Sequence, residues 1–194
     1  MNIAIVLFDG VEELDWAGPW EVFSAWMHGW PDDGASVYTV GWTTEPIACA
    51  KGARVLADHT WETAPPPDVV VWPGGRGTRP MLGDEDVRSR VRGLAATGAL
   101  MTSVCTGSLV YADAGLLDGR SATTHWGSLE RLAELGTGIE VYADARYVDD
   151  GDVVTAAGVS AGIDMALHLV ARLHSRERAA EVRRYIQYDP APPV

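Results

Sequence analysis

Cysteine is scarce in this chain: Cys49 and Cys105 are the only two, and no Cys-x-x-Cys pair occurs. That excludes a disulfide scaffold and a cysteine-rich tetrahedral metal site, and it fits a reducing compartment, the cytoplasm. Basic residues are few as well, 15 against 27 acidic ones, for a net charge of −12. A surface so acidic argues against nucleic acid or an anionic membrane as partner. No apolar run approaches the ~20 residues of a membrane helix. The start, MNIAIVLFDG, lacks the basic leader of a secretory signal and reads as a first strand. Repeats and linker-like stretches are missing too, so residues 1–194 are expected to form a single domain.

What is present is apolar content, 47% of the residues, enough for a sizeable core. The runs NIAIVLF, SVYTVGW (36–42), VVVWPGG (69–75) and ALMTSV (99–104) are short and nearly continuous, as in strands buried on both faces of a parallel sheet. Helical patterns separate them. PWEVFSAWMHG offers Pro19 as a first helical residue, and DEDVRSRVRGLAATG opens with acids and stops at Gly98. Two β-like runs flank Asp150-Gly151, a hairpin signal. SAGIDMALHLVARLH follows, with Ser160 at a cap position and Ile163, Leu167, Val170 and Ala171 on an apolar face; SRERAAEVRRYIQ is a more polar closing helix. The tail YDPAPPV is expected to lie extended. Strands alternating with helices predict a three-layer α/β domain around a mainly parallel sheet.

Active sites of open α/β sheets gather at the carboxyl ends of the strands. Three unusual segments fall there: DGVEELDWAGP after the first strand, PGGRG after VVVW, and CTG after ALMTSV. Their convergence would unite Asp15, Gly74, Gly75, Cys105 and Thr106. At a strand-to-helix elbow, Cys105 would be a nucleophile whose thiol is acidified by a helix N-terminus. Elsewhere it would be a small core hydrophobe. Gly74, Gly75 and Thr106 would offer backbone N–H groups to developing charge, or the glycines would merely form a turn. Asp15, between Leu14 and Trp16, would be a buried proton carrier or a helix cap. His125, in ATTHW, would be a base near the sulfur or a structural residue. Cys49 reads as packing, and no histidines have metal-ligand spacing, so no metal is assigned. The Gly-x-Gly of GGRGT lacks the dinucleotide fingerprint. Arg172, Arg176, Arg178, Arg183 and Arg184 read as solvated helix faces.

LDWAGPWEVF, WPGGRGT, VCTGSLVYADAGLLDGRSATTHW and AGVSAGIDMALHLV together resemble the ThiJ/PfpI superfamily, across nearly the whole chain and in its order. Within it, SVCTGSL, ATTHW, SAGIDMAL and the ending YDPAPPV look most like the isocyanide hydratases. The resemblance implies a flavodoxin-like sandwich of the class I glutamine amidotransferase-like kind and a homodimer. It implies Cys105 as nucleophile and Asp15 as its acidic partner, where many members carry Glu. A histidine matching His125 lies near the cysteine in several members without forming a general triad. The implied activity is hydration of an isocyanide to an N-substituted formamide without cofactor or metal. Two rivals stand beside it: another cysteine enzyme of this fold (a glyoxal or aldehyde hydratase, or an amidase), and a cysteine-based oxidation sensor. AraC-type regulators carry similar segments, but the chain ends soon after the last core helix and is strongly acidic, so DNA binding is not expected.

Overall fold

The computed structural model describes residues 1–189. In chain order the strands are β1 Asn2–Val6, β2 Ser36–Gly41, β3 Ile47–Ala48, β4 Arg54–Val55, β5 His59–Thr60, β6 Val69–Trp72, β7 Leu100–Val104, β8 Ser121–Ala122, β9 Glu140–Val141, β10 Tyr147–Asp150 and β11 Val153–Ala156. The helices are α1 Glu13–Gly29, α2 Glu85–Ala96, α3 Gly107–Asp113, α4 Leu129–Leu135, α5 Ala161–Leu173 and α6 Arg176–Tyr185. Seven strands form one sheet in the order β10-β11-β7-β6-β1-β2-β5. Every pair is parallel except β10 with β11, the hairpin at Asp150-Gly151. This is the mainly parallel three-layer α/β sandwich expected.

Alternation along each strand builds the layers, since successive side chains point to opposite faces. Ala4, Val6, Val70, Trp72 and Met101 face one side, where they meet Val87, Val91, Tyr111 and Leu132 of α2, α3 and α4. Ile3, Ile5, Val69, Val71, Val104 and Val154 face the other, against Val22, Phe23 and Trp26 of α1, Met165 and Leu169 of α5, and Val182 of α6. Both faces are therefore dry, which is why these strands read as continuous apolar runs.

Several local expectations are corrected. Pro19 does not open α1; the helix starts at Glu13, with Glu13 and Asp15 in its first turn, where acids suit the positive helix end. Pro19 sits inside it, and Gly18 and Gly162 let α1 and α5 approach closely, with Pro19 and Ile163 at the contact. In α5 the buried stripe is Ala161, Met165, Ala166, Leu169 and Val170; Ile163, Leu167 and Ala171 lie at its margin. Ser160 stands at the N-cap of α5 as expected, but its hydroxyl makes no cap bond and instead accepts from Arg146. Arg178 is no solvated residue: its guanidinium holds Asp33 and covers Trp30. Arg172 pairs with Asp149, which also takes His168. Of the tail YDPAPPV, residues 190–194 lie outside the described residues. Among the described residues no helix is long and apolar enough to cross a membrane.

Candidate active site

The carboxyl ends of β1, β6, β7 and β11 meet over the parallel sheet, and the loops leaving them bring Asp15, Gly74, Cys105 and Val159 together. Cys105 occupies the turn between β7 and α3 with φ of 57°, a left-handed conformation unusual for a residue with a Cβ. The surroundings hold that conformation from several directions. Its N–H is shared between the carbonyls of Ala156 and Ala157, 3.0 Å from each. Its carbonyl accepts from the hydroxyls of Thr124 (2.8 Å) and Ser108 (3.1 Å). Strain of this kind persists only where the structure over-determines it. Gly107 permits the turn, because a Cβ there would lie 2.0 Å from the Trp72 carbonyl oxygen.

Asp15 is fully buried and is not a helix cap. Its Oδ2 accepts from the Gly74 N–H at 2.9 Å, and its carboxyl group contacts the Cys105 thiol. Oδ1 is buried and makes no hydrogen bond to nitrogen or oxygen. Burial pushes the Asp15 carboxyl up to about 7, against the lowering effects of the Gly74 N–H and the thiol. A carboxyl group titrating there can both take and give a proton at neutral pH.

The thiol does not have the low pKa expected from a helix N-terminus. Cys105 is only 6% exposed. Burial first, and the nearby Asp15 charge second, push the thiol up to about 12. The N–H groups of Thr106 and Val159 reach the sulfur and work in the opposite direction without prevailing. The resting group is therefore a thiol whose proton has an acceptor beside it, not a standing thiolate.

The glycine N–H groups are also placed differently from expectation. Gly74 N–H is engaged by Asp15, and Gly75 N–H donates to the Thr106 hydroxyl at 3.0 Å. That hydroxyl also accepts from Thr78 at 3.1 Å. Both glycines thus position the acid and the threonine instead of facing an incoming charge. A Cβ on Gly74 would fall 2.5 Å from the Thr106 nitrogen and 2.9 Å from Asp15 Oδ2. His125 stands in the cavity wall beside Gly158, and its Nδ1 accepts from the Gly127 N–H at 3.1 Å. It makes no hydrogen bond to Cys105, so no His–Cys pair is formed in this arrangement.

Val159 and Thr124 were missed in the sequence. Val159 has φ of 47°, a costly conformation for a β-branched residue, and its N–H points at the sulfur. The strand-end rule that selected three loops applies equally to β11, whose end runs straight into residues 157–160. The cavity above the sulfur measures about 480 Å³. A more apolar cavity of about 360 Å³ lies near Phe8, Trp42 and Met81 and is lined by no cysteine. Cys49 is a buried packing residue, as expected. Among the described residues no group of three His, Cys, Asp or Glu side chains is placed to hold a metal ion.

A strained cysteine elbow over a parallel sheet, with a buried acid from the first helix against its sulfur, defines the class: the chain belongs to the DJ-1/PfpI family, whose model matches residues 1–172. Among its relatives, the isonitrile hydratase of Pseudomonas putida is 38% identical over 193 residues, covering 100% of this chain and 81% of that protein. A solved THiJ/PfpI family protein from Pseudomonas syringae superposes with a TM-score of 0.88 at 33% identity, covering 100% of this chain and 77% of that one. The helix-turn-helix regulator GbdR of Pseudomonas aeruginosa is 30% identical over 152 residues, 78% of this chain but only 41% of the regulator.

Proposed function

We propose that this protein is an isocyanide hydratase, converting an isocyanide and water to an N-substituted formamide with Cys105 as nucleophile and Asp15 as proton carrier. The observation that carries the reading is the buried Asp15 carboxyl, titrating near neutrality against the Cys105 thiol. The identity of 38% over the whole chain to an isonitrile hydratase supports the substrate class.

An isocyanide carbon is unusual in accepting a nucleophile and a proton at the same atom. The Asp15 carboxylate takes the thiol proton as the sulfur attacks, so a buried thiolate need not exist in the resting enzyme. Asp15 then delivers that proton to the same carbon, giving a thioimidate in which carbon holds the sulfur, one hydrogen and a C=N double bond. Water adds to this carbon, and one of its protons passes through Asp15 to the nitrogen. The C–S bond then breaks as the hydroxyl proton returns to sulfur, releasing the formamide and restoring the thiol. The N–H groups of Thr106 and Val159 steady the sulfur whenever it carries charge; one well-placed donor is commonly worth about 3–4 kcal/mol. Gly74 and Gly75 hold Asp15 and Thr106 in position, and His125 forms part of the wall around the substrate.

No cofactor enters this scheme, and both cysteines are free, which suits a reducing cytoplasm; the homodimer rests on the family resemblance. Mass spectrometry after mild peroxide, compared with catalytic turnover, separates this reading from a cysteine-based oxidation sensor. The test is hydration of a simple alkyl isocyanide by wild type, Cys105→Ala and Asp15→Asn. Turnover by wild type and a loss of about a thousandfold or more in each variant is expected; equal rates in all three would overturn the scheme.

A further inference from the structure

The reaction itself calls for no fixed cation, yet the cavity above Cys105 carries three basic side chains, Lys51, Arg76 and Arg79, against one acid, the half-buried Glu12. This is the reverse of the chain as a whole, with 27 acidic and 15 basic residues, and Lys51 is its only lysine. Glu12 neutralises Lys51. Arg79 donates one N–H to the Gly75 carbonyl at 2.9 Å, which fixes its guanidinium on the wall, and forms no ion pair among the described residues. Arg76 stands exposed without hydrogen bond or ion pair among the described residues. Elsewhere, arginines that bridge elements are matched by acids: Arg88 by Asp113, Arg120 by Asp152, Arg146 by Asp164, Arg172 by Asp149 and Arg178 by Asp33.

Two unmatched guanidinium groups on one cavity wall form a ready partner for a carboxylate, which arginine recognises through paired N–H donors. Neither forms a hydrogen bond or ion pair with Asp15 or Cys105. On the same rim Trp126 is 79% exposed and lies against His125 with ring centroids 5.3 Å apart. An exposed aromatic shelf of this kind suits a flat apolar group.

We infer that the preferred substrate is an isocyanide bearing a carboxylate, its acid group held by Arg76 and Arg79 and its apolar body laid on Trp126. The inference rests on the isocyanide reading above and narrows its substrate class. The product is then an N-formyl amino carboxylate.

The experiment compares 2-isocyano-3-phenylpropanoate with its methyl ester, which differs only in the charge and one methyl group. In wild type, kcat/KM for the carboxylate is expected to exceed that for the ester by about tenfold or more at low salt, with the ratio shrinking as salt screens the arginines. Arg76→Gln is expected to lower that ratio at least fivefold, and Arg76→Gln/Arg79→Gln to abolish it. A ratio near one in wild type, or one unmoved by the substitutions, overturns the inference and leaves the hydratase reading standing. Calorimetric binding of N-formylphenylalanine and of its methyl ester to the same proteins separates the two failures. If no isocyanide reacts but the arginines still favour the free acid, the hydratase reading fails and the anion site stands; if neither reaction nor discrimination occurs, both fall.

Discussion

Asp15 imposes a stability cost that can be measured without any substrate. Between its ordinary value of 3.8 and its folded value of about 7, the unfolded chain has released the Asp15 proton while the folded chain still holds it. The folded state binds more protons in that window, so stability contributed by this group falls as pH rises and levels off above about 7. Each unit of difference is worth about 1.4 kcal/mol, so raising the pH from 5.5 to 8 removes about 2 kcal/mol through Asp15 alone. Asp15→Asn preserves an oxygen acceptor for the Gly74 N–H and does not titrate. Its stability relative to wild type is therefore expected to rise by about 2 kcal/mol over the same range, roughly 4–8 °C in melting temperature for a domain of this size. Urea unfolding of both proteins at pH 5.5 and 8 gives the double difference, in which titrations common to both chains cancel. The ion-paired Asp33, Asp113 and Asp152 are held below the usual carboxylate range and have finished titrating before pH 5.5. The raised thiol of Cys105 acts only above the range. If both proteins lose the same stability, the buried acid is not protonated as described, and the proton-carrier role falls with it.

Because Asp15 must be ionised to take the thiol proton, kcat/KM for an isocyanide is expected to fall about tenfold per pH unit below about pH 7 and to stay level above it; a pH–rate profile flat from 5 to 8 contradicts this. Removing the Asp15 charge also removes the second-largest of the effects that raise the Cys105 thiol, so ultraviolet titration of thiolate in Asp15→Asn is expected to show a lower midpoint than wild type. Gly74→Ala forces a Cβ within 3 Å of both Thr106 and Asp15, and is expected to lower kcat/KM at least a hundredfold even where circular dichroism shows a folded protein.

The layered fold was legible because both faces of the sheet are dry, and residues 3–6 and 69–72 consequently read as unbroken apolar runs, while 101–104 are interrupted only by the buried Thr102 and Ser103. The convergence of Asp15, Gly74 and Cys105 was legible for a topological reason: parallel strands deliver all their carboxyl ends to one rim. The roles of the glycines were not, because which N–H meets which oxygen depends on loop geometry finer than any pattern of residue types. The thiol's environment was misjudged for a related reason. The elbow and its N–H donors are visible as CTG after a strand, but the burial that outweighs them is made by side chains from distant segments. Pro19 misled because tolerance of proline at a helix start is a local preference, while α1 is held by its packing on α5. Val159 was hidden because a valine at positive φ violates every local expectation and is held there only by its surroundings.

The anchoring of Cys105 also dictates when the reactive centre can come into being. Its amide is gripped by Ala156 and Ala157 and its carbonyl by Thr124, all synthesised after it. A nascent chain that has just emerged through α3 already carries the thiol, the acid and both glycines, yet has only the Ser108 hydroxyl to hold the elbow. Competence therefore arrives late in translation, once the last strand inserts beside β7, and until then the ribosome carries only an ordinary cysteine.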